Sequence, residues 1–388
     1  MMKKICFVTT LATTIDSFIL ELSKYLHETG NFDISFICSP DEDFQKKVPE
    51  YIHMIPVAMK RGISLEGIKI IHKLKKIFKK EKFDLVQYST PNAACYASVA
   101  AWLTRVPVRL YCQWGIVYVG FEGIKRKIFK LEEKMVCRLS TWIEPDSYGN
   151  LAFSHSEKLY PDEKGSVIWN GSASGVSFTK FDIAQKEAYR KEIKEKYKID
   201  SKSFVFGFVG RVTKDKGINE LFRAYKDVYE SDSSVYLLLV GNSEKTDSVD
   251  SELYDWIKEN PHVIFAGYTN EVEKYLSAMD CFVLPSYREG FGLGVVEAEA
   301  MGVPVIVTNI PGPTDAMENE VTGIIVEKKD VPSLTAAMNR MKTEDDLRQR
   351  FADNAVEFSH KFEQRQLFEY IKNDRLALMG MDANNENK

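Results

Sequence analysis

Long apolar runs are missing from this 388-residue chain: nowhere do 18 apolar residues follow one another, so no membrane-spanning helix is expected. Cysteine is sparse and unpatterned. Its six positions, Cys6, Cys38, Cys95, Cys112, Cys137 and Cys281, show no CxxC spacing and lie mostly in apolar runs. That excludes a zinc knuckle and a disulfide framework, and points to buried thiols in a reducing compartment. No Gly-x-Gly-x-x-Gly follows the first strand-like run with an acidic residue about 20 positions later, which weighs against a dinucleotide dehydrogenase. Excess positive charge is also absent: a formal charge of -4 argues against nucleic acid as a partner. The opening MMKKICFVTTLATT has the outline of a signal peptide, but threonines interrupt it and Asp16 follows at once, so a first β-strand is the better reading.

What is present is ordinary globular material, with 44% hydrophobic and 28% charged residues. The length suits two domains, since single cores seldom exceed about 250 to 300 residues. Strand-like runs and helical periodicities alternate from the start: Ile5 to Thr9, a helix over Ser17 to His27, a strand over Asp33 to Cys38. A basic amphipathic helix over 64 to 80 follows, then a strand at Leu85 to Tyr88, a helix at Asn92 to Leu103, a strand at Val108 to Cys112 and a second basic helix at Gly123 to Leu139. Short strands are expected at Trp142 to Glu144 and Val167 to Trp169. The pattern restarts with strands at Phe204 to Val209, Val235 to Val240, Val263 to Ala266, Cys281 to Leu284 and Val303 to Val307, again separated by helices. Such alternation predicts α/β architecture with parallel sheets and right-handed crossovers. The small-residue segment 170 to 175 reads as a hinge. The expected domains are 1–170 and 171–359, with a helix over about 360–380 crossing back to the first.

Charge is segregated. Lys60 through Arg138 holds 17 Lys or Arg against 6 Asp or Glu, a net of +11, while the whole chain sums to -4, leaving -15 for the rest. The basic helices of 60–138 can steer anionic ligands or hold an anionic membrane surface; solvated helix faces are the plainer alternative.

Two stretches carry the chemistry. After the strand ending at Val209 the chain reads Gly210, Arg211, Val212, Thr213, Lys214, Asp215, Lys216, Gly217 and runs directly into a helix. Backbone N–H groups, the positive helix end and two cations favour a phosphate there. The second stretch, Met279 to Pro313, is a strand, a glycine-rich turn holding Glu289, a helix N-terminus near Gly294 with Glu297 one turn in, and a further strand. A carboxylate at the helix head can accept hydrogen bonds from a sugar hydroxyl, and one further along can take both hydroxyls of a ribose; either glutamate could equally serve as a helix cap. Phe291, Gly292 and Leu293 would offer backbone amides to the ligand while the aromatic ring packs beneath them.

Arg211 with Lys216, followed by Pro285, Ser286, Glu289, the string GFGLGVV and Glu297, then Ala298, Gly302, Pro304 and Gly312, resembles glycosyltransferase family 4, whose second domain carries a Glu-x7-Glu motif. The resemblance covers most of 1 to 375, with the strongest agreement between 204 and 326. It implies the GT-B fold, two Rossmann-like domains facing each other across a cleft, and retaining transfer of a glycosyl unit. The expected donor is a UDP-sugar, an N-acetylhexosamine or a relative of it, and the expected acceptor a polyprenyl-diphosphate-linked saccharide or other glycan. It also implies a cytoplasmic protein, peripheral on the inner face of the plasma membrane, that needs no metal or other cofactor. Arg211 and Lys216 would hold the diphosphate, Glu289 the donor sugar and Glu297 the ribose. Gly210, Phe291, Gly292 and Leu293 would complete the donor site, and Arg211, Lys216 and Glu289 would be the catalytic set. Thr314, Asp315, Glu318 and Gly323 resemble the closing part of the donor pocket. Two departures stand out. The loop Thr9 to Thr14 lacks the glycines common in relatives, and Gln113-Trp114-Gly115 replaces a His-Gly pair, so that either Gln113 or Trp114 takes over the histidine's role or the donor sugar is unusual. The alternatives are a nucleotide-sugar epimerase, a sucrose or sugar-phosphate synthase on a related frame, and a sugar-nucleotide-binding protein that has lost catalysis.

Overall fold

The structure, a computed structural model, describes residues 2–59, 66–243 and 249–381. Residues 60–65, where the first basic helix was expected to begin, lie outside the described residues, and that helix is seen as Glu66–Glu81. The chain forms two compact units, Met1–Ser174 with Arg365–Lys388, and Gly175–Gln364.

In the first unit β1 (Lys3–Val8), β2 (Phe32–Cys38), β3 (His53–Pro56), β4 (Leu85–Tyr88), β5 (Val108–Gln113) and β6 (Trp142–Pro145) form one sheet in the order β3-β2-β1-β4-β5-β6. In the second, β7 (Val205–Val209), β8 (Tyr236–Val240), β9 (Val263–Gly267), β10 (Cys281–Leu284), β11 (Val305–Thr308) and β12 (Gly323–Val326) take the order β12-β11-β10-β7-β8-β9. Every pairing is parallel. Helices cover such sheets on both faces, so central strands such as Phe206–Phe208, Leu237–Leu239 and Phe282–Val283 are buried without alternation, which explains their continuous apolar runs.

Several elements differ from expectation. Val167 to Trp169 is irregular: Trp169 turns into the left-handed region at φ 49° and stacks its ring on Tyr370 at 5.5 Å, so tertiary packing overrides its strand propensity. The helix expected over 17–27 is two helices, Ala12–Phe18 and Leu20–Gly30, with a break at Ile19. Strands β3 and β12 and the helix Lys186–Lys196 were not foreseen.

The passages between units lie side by side. Val176 N–H donates to Phe362 O at 2.8 Å and Gln364 N–H to Val176 O at 3.0 Å. Gly175, at φ 65°, has Phe362 O and Gln364 Cα each 2.8 Å from where a Cβ would stand, which only glycine tolerates. The final helix, Gln364–Leu378, buries Leu367, Phe368 and Ile371 in the first unit's core beside Phe7 and Phe32. Its Arg375 is buried and forks onto Glu144 of β6 at 2.5 and 3.0 Å, with Gln87 of β4 at 3.2 Å. The geometry is bidentate, and the pair is largely shielded from water. Replacing Arg375 with methionine strands the Glu144 carboxylate in the core and is expected to cost about 3–5 kcal/mol, read as a lowered urea midpoint for the first unit.

Candidate active site

In an open parallel sheet, ligands bind at the carboxyl ends of the two strands where the order reverses, because no crossover fills the gap between their loops. In the second sheet that point lies between β7 and β10. The loop leaving β7 is Gly210 to Gly217, and the loop leaving β10 is Pro285 to Gly292. These are the two stretches picked out in the sequence, and the structure brings them into contact.

The approach is set by backbone. Gly217, at φ 69°, starts the helix Ile218–Ser231, and a Cβ there would stand 1.9 Å from Pro285 O. No other residue permits that distance. Across the contact Tyr287 N–H donates to Asp215 O at 2.9 Å, and Lys216 Nζ donates to Glu289 Oε1 at 2.6 Å. Ser286 Oγ donates to the same oxygen at 2.7 Å. The ends of both side chains are largely shielded, at 20% and 13% exposure, so water screens their attraction less than in a surface ion pair.

Beside it stands a second charged group absent from the sequence expectations. Asp215 accepts from Thr213 Oγ1 at 2.6 Å and lies 3.1 Å from Arg288 and 3.7 Å from Arg211. Burial raises its pKa, but the Thr213 hydroxyl and the cations Arg288, Arg211 and Lys216 outweigh that and hold it below the usual carboxylate range. Three cations and two carboxylates thus meet at the reversal. Arg288 could have been suspected from its place next to Glu289; Asp215 was hidden inside a run read for Arg211, Lys216 and the flanking glycines.

Gly292, at φ 90°, caps the helix Leu293–Ala300 at the end of that loop. Phe291 is buried and packs on Phe362 at 5.1 Å, so its ring serves the core and only its backbone is available. Leu293 is half-buried. Glu297 lies one turn into the helix. Burial pushes its carboxyl up to about 7; Lys180 pulls the other way and Glu273 adds to the rise. Of the residues expected to close the pocket, the turn holding Thr314 and Asp315 abuts the site, since a Cβ on Gly312 would meet Gly290 O at 2.2 Å. Gly323 instead serves the sheet in β12, 2.1 Å from Val305 O by the same measure, and Glu318 N–H is bound by Thr322.

In the first unit the order reverses between β1 and β4. The glycine-free loop closes there through hydroxyls: Thr90 Oγ1 accepts from Thr10 N–H and pairs with Thr10 Oγ1, both at 2.8 Å. Gln113 is not available for a ligand. It is buried, its amide N–H bound to Glu133 and its oxygen accepting from Ser154 Oγ at 2.9 Å. Of the three alternatives for the missing histidine, the one through Gln113 meets a side chain already bound within the core, by partners from elements far apart in sequence. Trp114 is half-buried against Phe18 at 5.6 Å, at the carboxyl end of β5. The string Asp41-Glu42-Asp43 is a helix start, with Asp41 accepting from Phe44 N–H at 2.9 Å.

Known proteins place this geometry in a class. The family description "Glycosyl transferases group 1" matches residues 189–358, inside the second unit, and "Glycosyl transferase 4-like" matches 4–143, inside the first. The crystal structure of Anabaena HepE in complex with UDP superposes with a TM-score of 0.76 at 17% identity, covering 97% of this chain and 100% of that one. The fold is GT-B, and the class a glycosyltransferase. The capsular polysaccharide biosynthesis glycosyltransferase CapM of Staphylococcus aureus is 32% identical over 345 residues, 88% of this chain and 89% of that protein. An Escherichia coli UDP-Gal:alpha-D-GlcNAc-diphosphoundecaprenol alpha-1,3-galactosyltransferase is 31% identical over 327 residues, 80% of each chain. The chain belongs to the group 1, family 4-like glycosyltransferases.

The raised pKa of Glu297 has a signed consequence. An unfolded glutamate titrates near 4.5 and the folded one at about 7, so the folded state holds the extra proton between those values. Stability is full below the lower value and falls as pH rises through the upper. Glu297→Gln removes the titration: relative to wild type, the variant is expected to gain about 1–3 kcal/mol between about pH 5 and pH 8, measured by urea unfolding at each pH.

Proposed function

We propose that the protein transfers a hexosyl unit, an N-acetylhexosamine or a related hexose, from a UDP-sugar to a polyprenyl-diphosphate-linked saccharide, with retention of anomeric configuration, in building a surface polysaccharide. The observation that carries this is the Lys216–Glu289 pair at the reversal of strand order, flanked by Arg211 and Arg288. The reading is supported by a relative named for UDP-Gal and a diphosphoundecaprenol-linked sugar and by a structural neighbour holding UDP.

A departing nucleoside diphosphate concentrates negative charge on its terminal phosphate. In this reading Lys216 exchanges its carboxylate partner for that phosphate, and Arg211 and Arg288 raise the local positive potential. Preorganised cations and helix amides of this kind stabilise charge as it develops, and so no metal is required. Glu289, released from Lys216, accepts hydrogen bonds from the donor sugar. Glu297 holds the ribose hydroxyls. A double displacement needs two carboxyls about 5 Å apart across the sugar. Here Glu289 serves the donor sugar as a hydrogen-bond acceptor, which favours front-face attack, with the acceptor proton passing to the departing phosphate oxygen. The acceptor is assigned to the first unit, around Thr10, Thr90 and Trp114. An acceptor on a lipid carrier places the work at the cytoplasmic face of a membrane, where the basic helices Glu66–Glu81 and Gly123–Leu139 suit anionic lipid.

Lys216→Ala and Glu289→Ala are each expected to lower acceptor-dependent UDP release by about 10²–10³-fold while leaving thermal unfolding nearly unchanged. Normal turnover in both variants would reject the assignment. Product analysis with donor alone separates transfer from epimerisation, which needs no acceptor.

A further inference from the structure

Asp215 has a role that joining the two loops does not explain. It stands in the short 3₁₀ turn Lys214–Lys216, where about three residues complete a turn, so Asp215 and Lys216 leave the backbone in different directions. Lys216 goes to Glu289, while Asp215 goes to the arginines. One of its oxygens lies 3.1 Å from Arg288 and 3.7 Å from Arg211, and the other accepts from Thr213 Oγ1 at 2.6 Å. Among the described residues neither arginine has another carboxylate partner.

The loop after β10 is fixed without that carboxylate. Gly217 lies against Pro285 O, Tyr287 N–H donates to the backbone carbonyl of Asp215 at 2.9 Å, and the Tyr287 hydroxyl donates to Glu220 Oε2 at 2.7 Å. The Asp215 and Arg288 side chains are 30% and 33% exposed, and an ion pair this open to water contributes little to stability. What the carboxylate changes is the potential. It stays ionised, because the Thr213 hydroxyl and the neighbouring cations outweigh the burial that pushes its pKa up. Without it, Arg211 and Arg288 would stand uncompensated beside Lys216.

Uncompensated cations attract the diphosphate of a bound donor and of the departing nucleotide alike. Binding both more tightly lowers KM without helping the chemical step, and it slows release of the product. A fixed negative charge beside the guanidinium groups subtracts from that grip. We propose that Asp215 is a built-in competitor of the nucleotide's phosphates, which acts through Arg211 and Arg288 to set how tightly the departing nucleoside diphosphate is held and how fast it leaves. It is a positioning residue, since it touches the arginines and not the sugar. The inference rests on the donor site proposed above and adds product release to it. Its rival is a carboxylate that merely aims the two arginines at the phosphate, and the two roles predict opposite signs.

The test is calorimetric titration of UDP into the full-length wild type, Asp215→Asn and Asp215→Glu, with steady-state kinetics on the same proteins. Asp215→Asn should bind UDP about tenfold more tightly, with the gain shrinking at high salt. Its kcat should fall by about the same factor and its donor KM by at least as much, so that kcat/KM does not drop. A second neutral variant, Asp215→Ser, should repeat the tightening, whereas Asp215→Glu keeps the charge and should hold UDP within about threefold of wild type. Asp215→Asn/Arg288→Gln removes one charge of each sign and should return UDP affinity toward wild type, a coupling that a merely structural role would not produce. Weaker UDP binding by both neutral variants overturns the proposal in favour of the aiming role, and unchanged binding by both overturns it outright. Lys216→Ala separates this failure from that of the donor site. If that variant binds UDP as wild type does, the site is misassigned and the role of Asp215 falls with it; if it binds UDP more weakly while neither neutral variant binds it more tightly, the role of Asp215 falls alone.

Discussion

The candidate site depends on how closely two loops can approach. Gly217 places its Cα where any side chain would collide with the carbonyl of Pro285, and only this hard contact lets the loop after β7 lie against the loop after β10. The charges follow from it. An ion pair as shielded as Lys216–Glu289 returns little net stability once desolvation is counted, so it does not hold the loops together; the backbone holds the charges together. The site thereby gathers opposing charges in a close-packed arrangement.

The two units solve one topological problem with different chemistry. Both sheets reverse their order once, and both place polar loops at that point. In the second unit these loops carry arginine, lysine, aspartate and glutamate, suited to a multiply charged ligand. In the first they carry the hydroxyls of Thr9, Thr10 and Thr90, neutral groups that close the turn on themselves through hydrogen bonds. Such a lining suits a ligand recognised by hydroxyl groups rather than by charge. Division of labour is thus written into the side chains that the same fold exposes at equivalent places.

Much of this was legible in the sequence, and the reasons differ by residue. Doubly buried parallel strands leave unbroken apolar runs, so Leu237–Leu239 or Cys281–Leu284 announce themselves. The loops holding Lys216 and Glu289 were legible because a glycine-rich turn follows each apolar run and leads into a helical pattern. Strand β12 was not, because it begins with glycine and gains its order from the Val305 backbone it lies against. The role of Gln113 was hidden for another reason: its partners Glu133 and Ser154 come from separate helices, and no local pattern records that convergence. Asp215 and Arg288 were missed because ion pairs between loops 73 residues apart leave no periodic trace.

The route of the chain has a consequence for biosynthesis. Residues 175–364 form a unit inserted between two segments of the other, and the helix Gln364–Leu378 supplies Leu367, Phe368, Ile371 and the guanidinium that neutralises Glu144. A ribosome delivers that helix only after every strand of both units. Until it emerges, the first-made unit carries an uncovered apolar surface and an uncompensated internal carboxylate, while the later-made unit already has all its strands. Order of synthesis and order of completion are therefore inverted, and the nascent first unit is where a chaperone would be needed longest.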